Sequence, residues 1–249
     1  MLTPLPRLGY NYRNAKRKGV IHIGKPPPFI PQIDGGLRKH IIHVPDCIQE
    51  ASGIRIFGKR IRSILFSTDA AIIKNMNADA VIAVYPFTPQ PAISHAILQL
   101  ADVPVFCGVG GGTTTGVRVT RLAQDAEFRG AIGVVLNAPT TNETLHYVAE
   151  RVDIPVVITI VSEEEDVQGR LDAGAKILNV SGANKTPDIV KAIRQVFPEV
   201  PIIATGGKTE ASILRTIEAG ANAITYTPPT TAELFKEMMN RYRDQLASK

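Results

Sequence analysis

The residues of this chain that could do chemistry are few, and they gather in short glycine-bearing stretches. Ala204-Thr205-Gly206-Gly207-Lys208-Thr209 closes an apolar β-branched run and opens a helical pattern. Two glycines let the backbone approach a ligand closely, and the N–H groups of a helix start present a positive dipole end to an anion. With the ammonium of Lys208 beside them, Gly206 and Gly207 read as a phosphate site; the plain alternative is a tight strand-to-helix turn. The stretch Gly108-Val109-Gly110-Gly111-Gly112-Thr113-Thr114-Thr115-Gly116 holds more glycine than a turn needs, and ordering it costs entropy. Gly110, Gly111, Gly112 and Thr113 are therefore read as a ligand loop. It lacks the Lys-Ser/Thr ending of a P-loop and offers threonine hydroxyls instead.

Single side chains complete the set. Asp69 follows the first strand pattern with few carboxylates nearby, which makes it the candidate general base, although the position equally suits a helix cap. Cys107 directly precedes the glycine loop, where a thiolate nucleophile would be useful if a base or helix start lowered its pKa; otherwise a cysteine at a strand end is a small buried apolar residue. Lys185 could neutralise a phosphate or form a Schiff base after desolvation. Ser181, Gly182 and Thr230 stand at two further helix starts and are assigned to phosphate together with Gly206, Gly207 and Lys208. None of His22, His40, His43, His95 and His146 ends a strand pattern, and no paired carboxylates converge with them, so no metal site is expected. His40 and His43 belong to the leading segment, from which they could reach the barrel mouth.

These residues need elements that bring loop ends together, and an internal repeat supplies them. Asp102-Val103-Pro104-Val105, Asp153-Ile154-Pro155-Val156 and Glu199-Val200-Pro201-Ile202 each place a proline at a strand start, where its missing N–H is tolerated. Between them stand Ala78-Asp79-Ala80-Val81, Gly130-Ala131-Ile132-Gly133, Gly174-Ala175-Lys176-Ile177 and Gly220-Ala221-Asn222-Ala223. In these the glycine ends the preceding helix in a left-handed cap and the alanine permits close approach as the chain enters the sheet. Strands are predicted near 62 to 66, 80 to 85, 103 to 107, 131 to 136, 155 to 160, 175 to 180, 201 to 205 and 222 to 226. Their runs are apolar on both faces, as in a parallel sheet covered by helices. Capping boxes are read at Thr140 with Glu143, Ser162 with Glu165 and Thr230 with Glu233, and Pro187 suits a first helical turn. Eight successive strand-helix pairs without a long crossover predict an α/β fold, a single (β/α)8 TIM barrel over residues 61 to 249, with its working face at the carboxyl ends of the strands.

The Gly206-Gly207 turn after the seventh strand and Glu218-Ala219-Gly220-Ala221 before the eighth resemble the phosphate-binding (β/α)8 barrels of the ribulose-phosphate-binding type. These include barrels of tryptophan biosynthesis, ribulose-phosphate epimerase and the phosphogluconate-type aldolases. The resemblance covers roughly residues 150 to 235. It implies phosphate held by the loops after strands six to eight. Those barrels usually place a small pair such as Gly-Ser after strand eight, where this chain has Tyr226-Thr227-Pro228-Pro229; Thr230 and Thr231 could substitute with hydroxyls. Where members of the family use a Schiff base, its lysine lies within strand six, whereas here Lys176 starts that strand and Asn179 stands near its end, which speaks against the mechanism.

A chain of 249 residues with 44% hydrophobic content suits one large core. Cys47 and Cys107 cannot make a disulfide framework, and no signal peptide or membrane span is read, so a cytoplasmic, soluble protein is expected. The net charge of +5 is uneven. Residues 1 to 60 hold eleven Lys/Arg against three Asp/Glu, along with Pro26-Pro27-Pro28 and Gly35-Gly36, and read as a basic, Pro/Gly-rich N-terminal extension. Short strands near Val20 to Ile23 and Ile41 to Val44 are expected in it, packed on the barrel or on another subunit of a homo-oligomer. Tyr10-Asn11-Tyr12-Arg13-Asn14-Ala15-Lys16-Arg17-Lys18 interleaves aromatic and basic residues as a nucleic acid binder would, but so short a run fits a subunit contact better. The reading that results is an isomerase or lyase acting on a small phosphorylated molecule, with no cofactor. The alternatives are an FMN-binding oxidoreductase barrel and a binding or scaffolding protein that uses the basic extension.

Overall fold

Eight parallel strands alternate with eight helices in a computed structural model that describes Phe29, Pro31, Ile33, Gly35, Gly36 and residues 40 to 247. Two short antiparallel strands come first, β1 (Ile54–Ile56) and β2 (Lys59–Ile61). The barrel strands are β3 (Ser63–Phe66), β4 (Ala80–Ala83), β5 (Val105–Gly110), β6 (Gly133–Leu136), β7 (Val156–Ile160), β8 (Ile177–Val180), β9 (Ile202–Thr205) and β10 (Ala223–Tyr226). The helices are α1 (Ala70–Lys74), α2 (Pro91–Leu100), α3 (Val117–Phe128), α4 (Asn142–Ala149), α5 (Val167–Asp172), α6 (Thr186–Val196), α7 (Glu210–Glu218) and α8 (Thr231–Ala247). Each barrel strand pairs in parallel with the next, and β10 pairs with β3 in the register Ile224 to Ser63, so the sheet closes. The chain is a closed (β/α)8 barrel, and no described helix is long and apolar enough to cross a membrane.

The repeat works as its chemistry requires. The carbonyls of Pro104, Pro155 and Pro201 accept hydrogen bonds from Val81, Val134 and Leu178 of the neighbouring strand. Each proline thus serves the ladder as an acceptor where it cannot serve as a donor. Gly130, Gly174 and Gly220 stop α3, α5 and α7 at φ of 91°, 103° and 109°. The next residue's N–H reaches back, as Ala131 to Ala126, Ala175 to Arg170 and Ala221 to Thr216, which is the Schellman stop.

Several local expectations move. β5 runs on through Gly110, so the first residues of the glycine stretch are strand. The cap of α4 is Thr141, accepting from Thr144 N, and Thr140 is buried instead. The cap of α5 is Asp166, accepting from Gly169 N; Ser162 and Glu165 organise the loop before it, through Glu164 N to Ser162 Oγ and Val161 N to Glu165 Oε1. The Thr230 and Glu233 box forms at the start of α8.

The unit that carries the barrel begins at residue 37. Between residues 41 and 44 there is a single bridge, Ile42 to Met76, and Val44 N donates to Asn77 Oδ1. His43 Nδ1 lies 3.3 Å from Asn77 Nδ2, which places it at the amino end of the barrel, away from the mouth. β1 and β2 join through Phe57 (φ 46°) and Gly58 (φ 81°), the left-handed pair of a two-residue hairpin. Ile54, Ile56 and Ile61 of this hairpin share the apolar cluster of the barrel interior and stopper its amino end. Val20 to Ile23 and Tyr10 to Lys18 lie outside the described residues.

Candidate active site

Period-two alternation builds the mouth. Ile64, Ile82, Phe106 and Val135 point into the barrel, so two residues further along the chain Phe66, Val84, Gly108 and Asn137 also face inward. On the other side, Val157, Ile177, Ile203 and Ala223 fill the interior and are followed by Thr159, Asn179, Thr205 and Thr225. One wall is thus apolar or glycine apart from the Asn137 amide, the other hydroxyl and amide.

Three adjoining hollows lie over this layer. The central one, about 240 Å³, is lined by Thr159, Asn179, Ser181, Thr205 and Thr225 against Phe66, Ile82, Val84 and Val135. The largest, about 530 Å³, opens between the loops after β3, β4 and β10 and is lined by Asp69, Tyr85, Thr227 and Thr230. The third, about 230 Å³, lies under the glycine loop and is lined by Gly110, Gly112, Thr113 and Phe87. Asn137 and Val84 line all three.

Asp69 stands in the wall of the largest hollow, where it caps α1. Its Oδ1 accepts from Ala71 N at 2.8 Å and Ile72 N at 3.1 Å, and its Oδ2 accepts from Thr231 Oγ1. The Thr231 hydroxyl and the Ile72 N–H hold its pKa below the ordinary carboxylate range, so it stays ionised. Tyr85 Oη accepts from Gln90 N at 2.8 Å, which orients the phenol and leaves its proton to be donated. Acceptor, donor and the Asn137 amide therefore border the same space.

The anion site read from the sequence is not assembled as expected. Ser181 lines the central hollow and Thr230 the largest, but Gly182, Lys185, Gly206, Gly207 and Lys208 line none of the three. A Cβ on Gly206 would stand 2.6 Å from Ile224 Cγ2 and 2.8 Å from Ile213 Cγ1. Close packing of α7 on the sheet therefore accounts for that glycine, and Gly207 at φ 81° makes the turn. Lys185 ends a 3-10 turn of three residues before α6. After β10, Pro228 and Pro229 have no N–H to offer. Thr230 gives both its N–H (2.7 Å) and its hydroxyl (2.8 Å) to Glu233 Oε2. Those two bonds, and after them the charge of Lys208, depress the Glu233 pKa; a carboxylate thus occupies the helix start where a phosphate was expected.

Cys107 is excluded from the mouth by its register. Phe106 points inward, so Cys107 points out into the layer between sheet and helices and is fully buried. Burial pushes its thiol up to about 12, against a smaller opposing effect of the Ser94 hydroxyl. It is a packing residue. In the glycine loop, Gly111 (φ 106°) has Asn137 N and O at 2.6 and 2.7 Å from its would-be Cβ. Only glycine lets β5 and its loop lie against Asn137, whose N–H donates to Gly110 O at 3.0 Å.

Tyr85 and Asn137 follow the second and fourth strand patterns, a position that nominates them from the sequence without a role, whereas Thr225 is missed; its signal is strand periodicity counted past the last apolar residue. Arg170 fixes the loop that carries Asn137, through Nη2 to Ala138 O at 2.8 Å and Nη1 to Thr140 O and Asn142 Oδ1. Among the described residues there is no group of three His, Cys, Asp or Glu side chains able to hold a metal. Asp69 is the one carboxylate among the lining residues and no imidazole or second carboxylate lines the hollows with it, so the mouth does not present the ligand set of a divalent cation. The prolines and Glu233 after β10 likewise do not fit the phosphate of FMN.

No family model and no curated protein sequence matches this chain. Solved structures do. A 2,3-dimethylmalate lyase, described as a PEP mutase/isocitrate lyase superfamily member, superposes with a TM-score of 0.58 at 12% identity, covering 82% of this chain and 82% of that one. A phosphonopyruvate hydrolase in complex with oxalate and Mg²⁺ gives 0.55 at 13% identity, over 81% and 85%. A phosphonomutase of Burkholderia cenocepacia J2315 gives 0.54 at 14%, over 75% and 92%. At such identities the likeness shows the (β/α)8 fold, without singling out the ribulose-phosphate-binding type.

Proposed function

We propose that this chain is an enzyme of the lyase or isomerase kind, acting on a small metabolite that carries a carboxylate or a phosphate and binds at the carboxyl end of the barrel. The observation that carries this reading is the 530 Å³ hollow bordered by Asp69, Tyr85 and Asn137. Asp69 is the proton acceptor, Tyr85 the donor and Asn137 the group that orients the reacting carbonyl or hydroxyl. A carboxylate held below its usual pKa is a weak base, so the reading calls for a substrate whose proton is already acidic, such as one next to a carbonyl. The similar structures include a lyase, a hydrolase and a mutase of this kind, which supports the reaction class. The hydrolase complex holds Mg²⁺; the reaction proposed for this chain uses none, since no set of metal ligands converges among its described residues.

The test is Asp69→Asn. Asn caps a helix about as well as Asp, so α1 survives while the proton acceptor is lost. Wild type and variant are screened by NMR for turnover of 2-hydroxy and 2-oxo dicarboxylic acids and sugar phosphates. The variant should lose at least about 10²-fold in turnover while binding the substrate within a few fold of wild type. Undiminished turnover would remove Asp69 from the chemistry, and with it the proposed reaction.

A further inference from the structure

We propose that the central hollow is a subsite for an uncharged, hydroxyl-bearing segment of the ligand, a polyol or sugar-like chain. This rests on reading the mouth as the substrate site, and it adds the chemistry of the deep end. The polar side chains lining the hollow, Asn137, Thr159, Asn179, Ser181, Thr205, Thr225 and Thr227, carry no charge. Two of their contacts are with one another: Asn179 Nδ2 donates to Thr159 Oγ1 at 3.2 Å, and Thr205 Oγ1 donates to Ser181 Oγ at 3.3 Å. Thr225 is different. It is 6% exposed, and its Oγ1 is buried without a hydrogen-bond partner.

Hydroxyl and amide groups both donate and accept. After the internal bonds are made, the wall still offers lone pairs on threonine oxygens and on the Asn179 carbonyl, together with the Thr225 hydroxyl. A phosphate or carboxylate accepts only, so it would leave those lone pairs facing it, and no lining cation compensates its lost hydration. A chain of alcohol groups answers in both senses. The opposite wall of Phe66 and Val84, with Ile82 and Val135, suits the C–H faces of such a chain. The space, about 240 Å³, is that of roughly eight water molecules at liquid density, enough for a short polyol.

Ribitol and erythritol, with inorganic phosphate as the charged control, would be titrated into wild type, Thr225→Val and Thr225→Ser by calorimetry. Valine keeps the β-branched shape and removes the hydroxyl; serine restores it. The polyol should bind wild type, lose about tenfold in affinity in Thr225→Val, the scale of one hydrogen bond, and recover in Thr225→Ser. Phosphate affinity should be the same in all three. If neither polyol binds wild type, or if Thr225→Val binds as tightly as wild type, the subsite is overturned and the hollow holds water alone. Tyr85→Phe lies outside the central hollow and reads the enzyme proposal separately. Polyol binding with turnover indifferent to Tyr85→Phe and Asp69→Asn would leave the subsite standing without the proposed reaction; turnover that depends on both without polyol binding would do the reverse.

Discussion

The two ends of the barrel treat their polar groups in opposite ways. At the amino end Arg194 donates to the carbonyls of Phe197, Pro198, Val200 and Gly220 and to Asn222 Oδ1. Asn222 in turn donates to Ser52 Oγ, and Asp79 Oδ2 accepts from Arg62 N and Ser63 N. Below them the β1-β2 hairpin closes the interior with isoleucine. At the carboxyl end stand the three buried side-chain oxygens that lack a hydrogen bond among the described residues, Thr140 Oγ1, Glu165 Oε2 and Thr225 Oγ1. Unpaired buried groups cost stability; Glu165 Oε2 has the Arg170 guanidinium 3.7 Å away, and Thr225, which lines the central hollow, is the one of the three that a ligand there can satisfy. In a barrel, stability belongs to one face and recognition to the other.

The largest effect that would test this division comes from Ile61→Ala. Ile61 is 1% exposed in the interior cluster, and truncation should cost about 2 to 5 kcal/mol in denaturant unfolding. Ligand affinity at the mouth should stay within about twofold once the protein is folded. A variant that unfolds normally but loses its ligand would mean that the stopper shapes the mouth.

Arg170→Ala should cost less, about 1.5 to 3 kcal/mol for charge-assisted bonds to the loop after β6. Unlike Ile61→Ala, it should also weaken ligand binding severalfold, because that loop carries Asn137. Equal affinity in wild type and variant would show that the loop holds its place without Arg170.

How far these features could be read from the sequence follows the same division. Closure and strand order were legible because the proline starts and glycine stops are local covalent facts repeated around the ring. The inward ring of Asn137, Thr159, Asn179, Thr205 and Thr225 was legible in principle by counting in twos, and the same count turns Cys107 outward. What could not be read was the direction of side chains at helix starts. Gly206 looked free for a ligand, yet Ile213 and Ile224 fill the space above it. Thr230 looked like an anion donor, yet Glu233 takes both of its hydrogens. Each depends on a contact made only once helix and sheet are packed.

Asp69 gives a smaller effect, visible through pH. Its folded-state pKa is depressed, so the stabilisation it contributes is fully present above the unfolded carboxylate pKa of about 3.9 and is lost as pH falls through the lower folded value. The melting temperature of wild type should therefore decline more steeply below about pH 4 than that of Asp69→Asn. Parallel curves would mean that the Thr231 and Ile72 hydrogen bonds do not discriminate between its charge states.

The smallest effect belongs to Cys107, the residue that strand register moved from the mouth to the layer beneath the helices. With a thiol pushed up to about 12 by burial, almost none of it is thiolate at pH 8, and iodoacetamide reacts with thiolate. Cys47 is also raised, chiefly by desolvation, but it is only half-buried. Mass spectrometry of the native protein should therefore find Cys47 alkylated slowly and Cys107 not at all, with both labelled in urea. Cys107→Ala removes one small buried group, which should lower stability by about 1 kcal/mol and leave turnover and ligand affinity unchanged. Rapid native labelling of Cys107, or a loss of turnover in the alanine variant out of proportion to that stability change, would return the residue to the reacting face and break the assignment of inward and outward positions on β5.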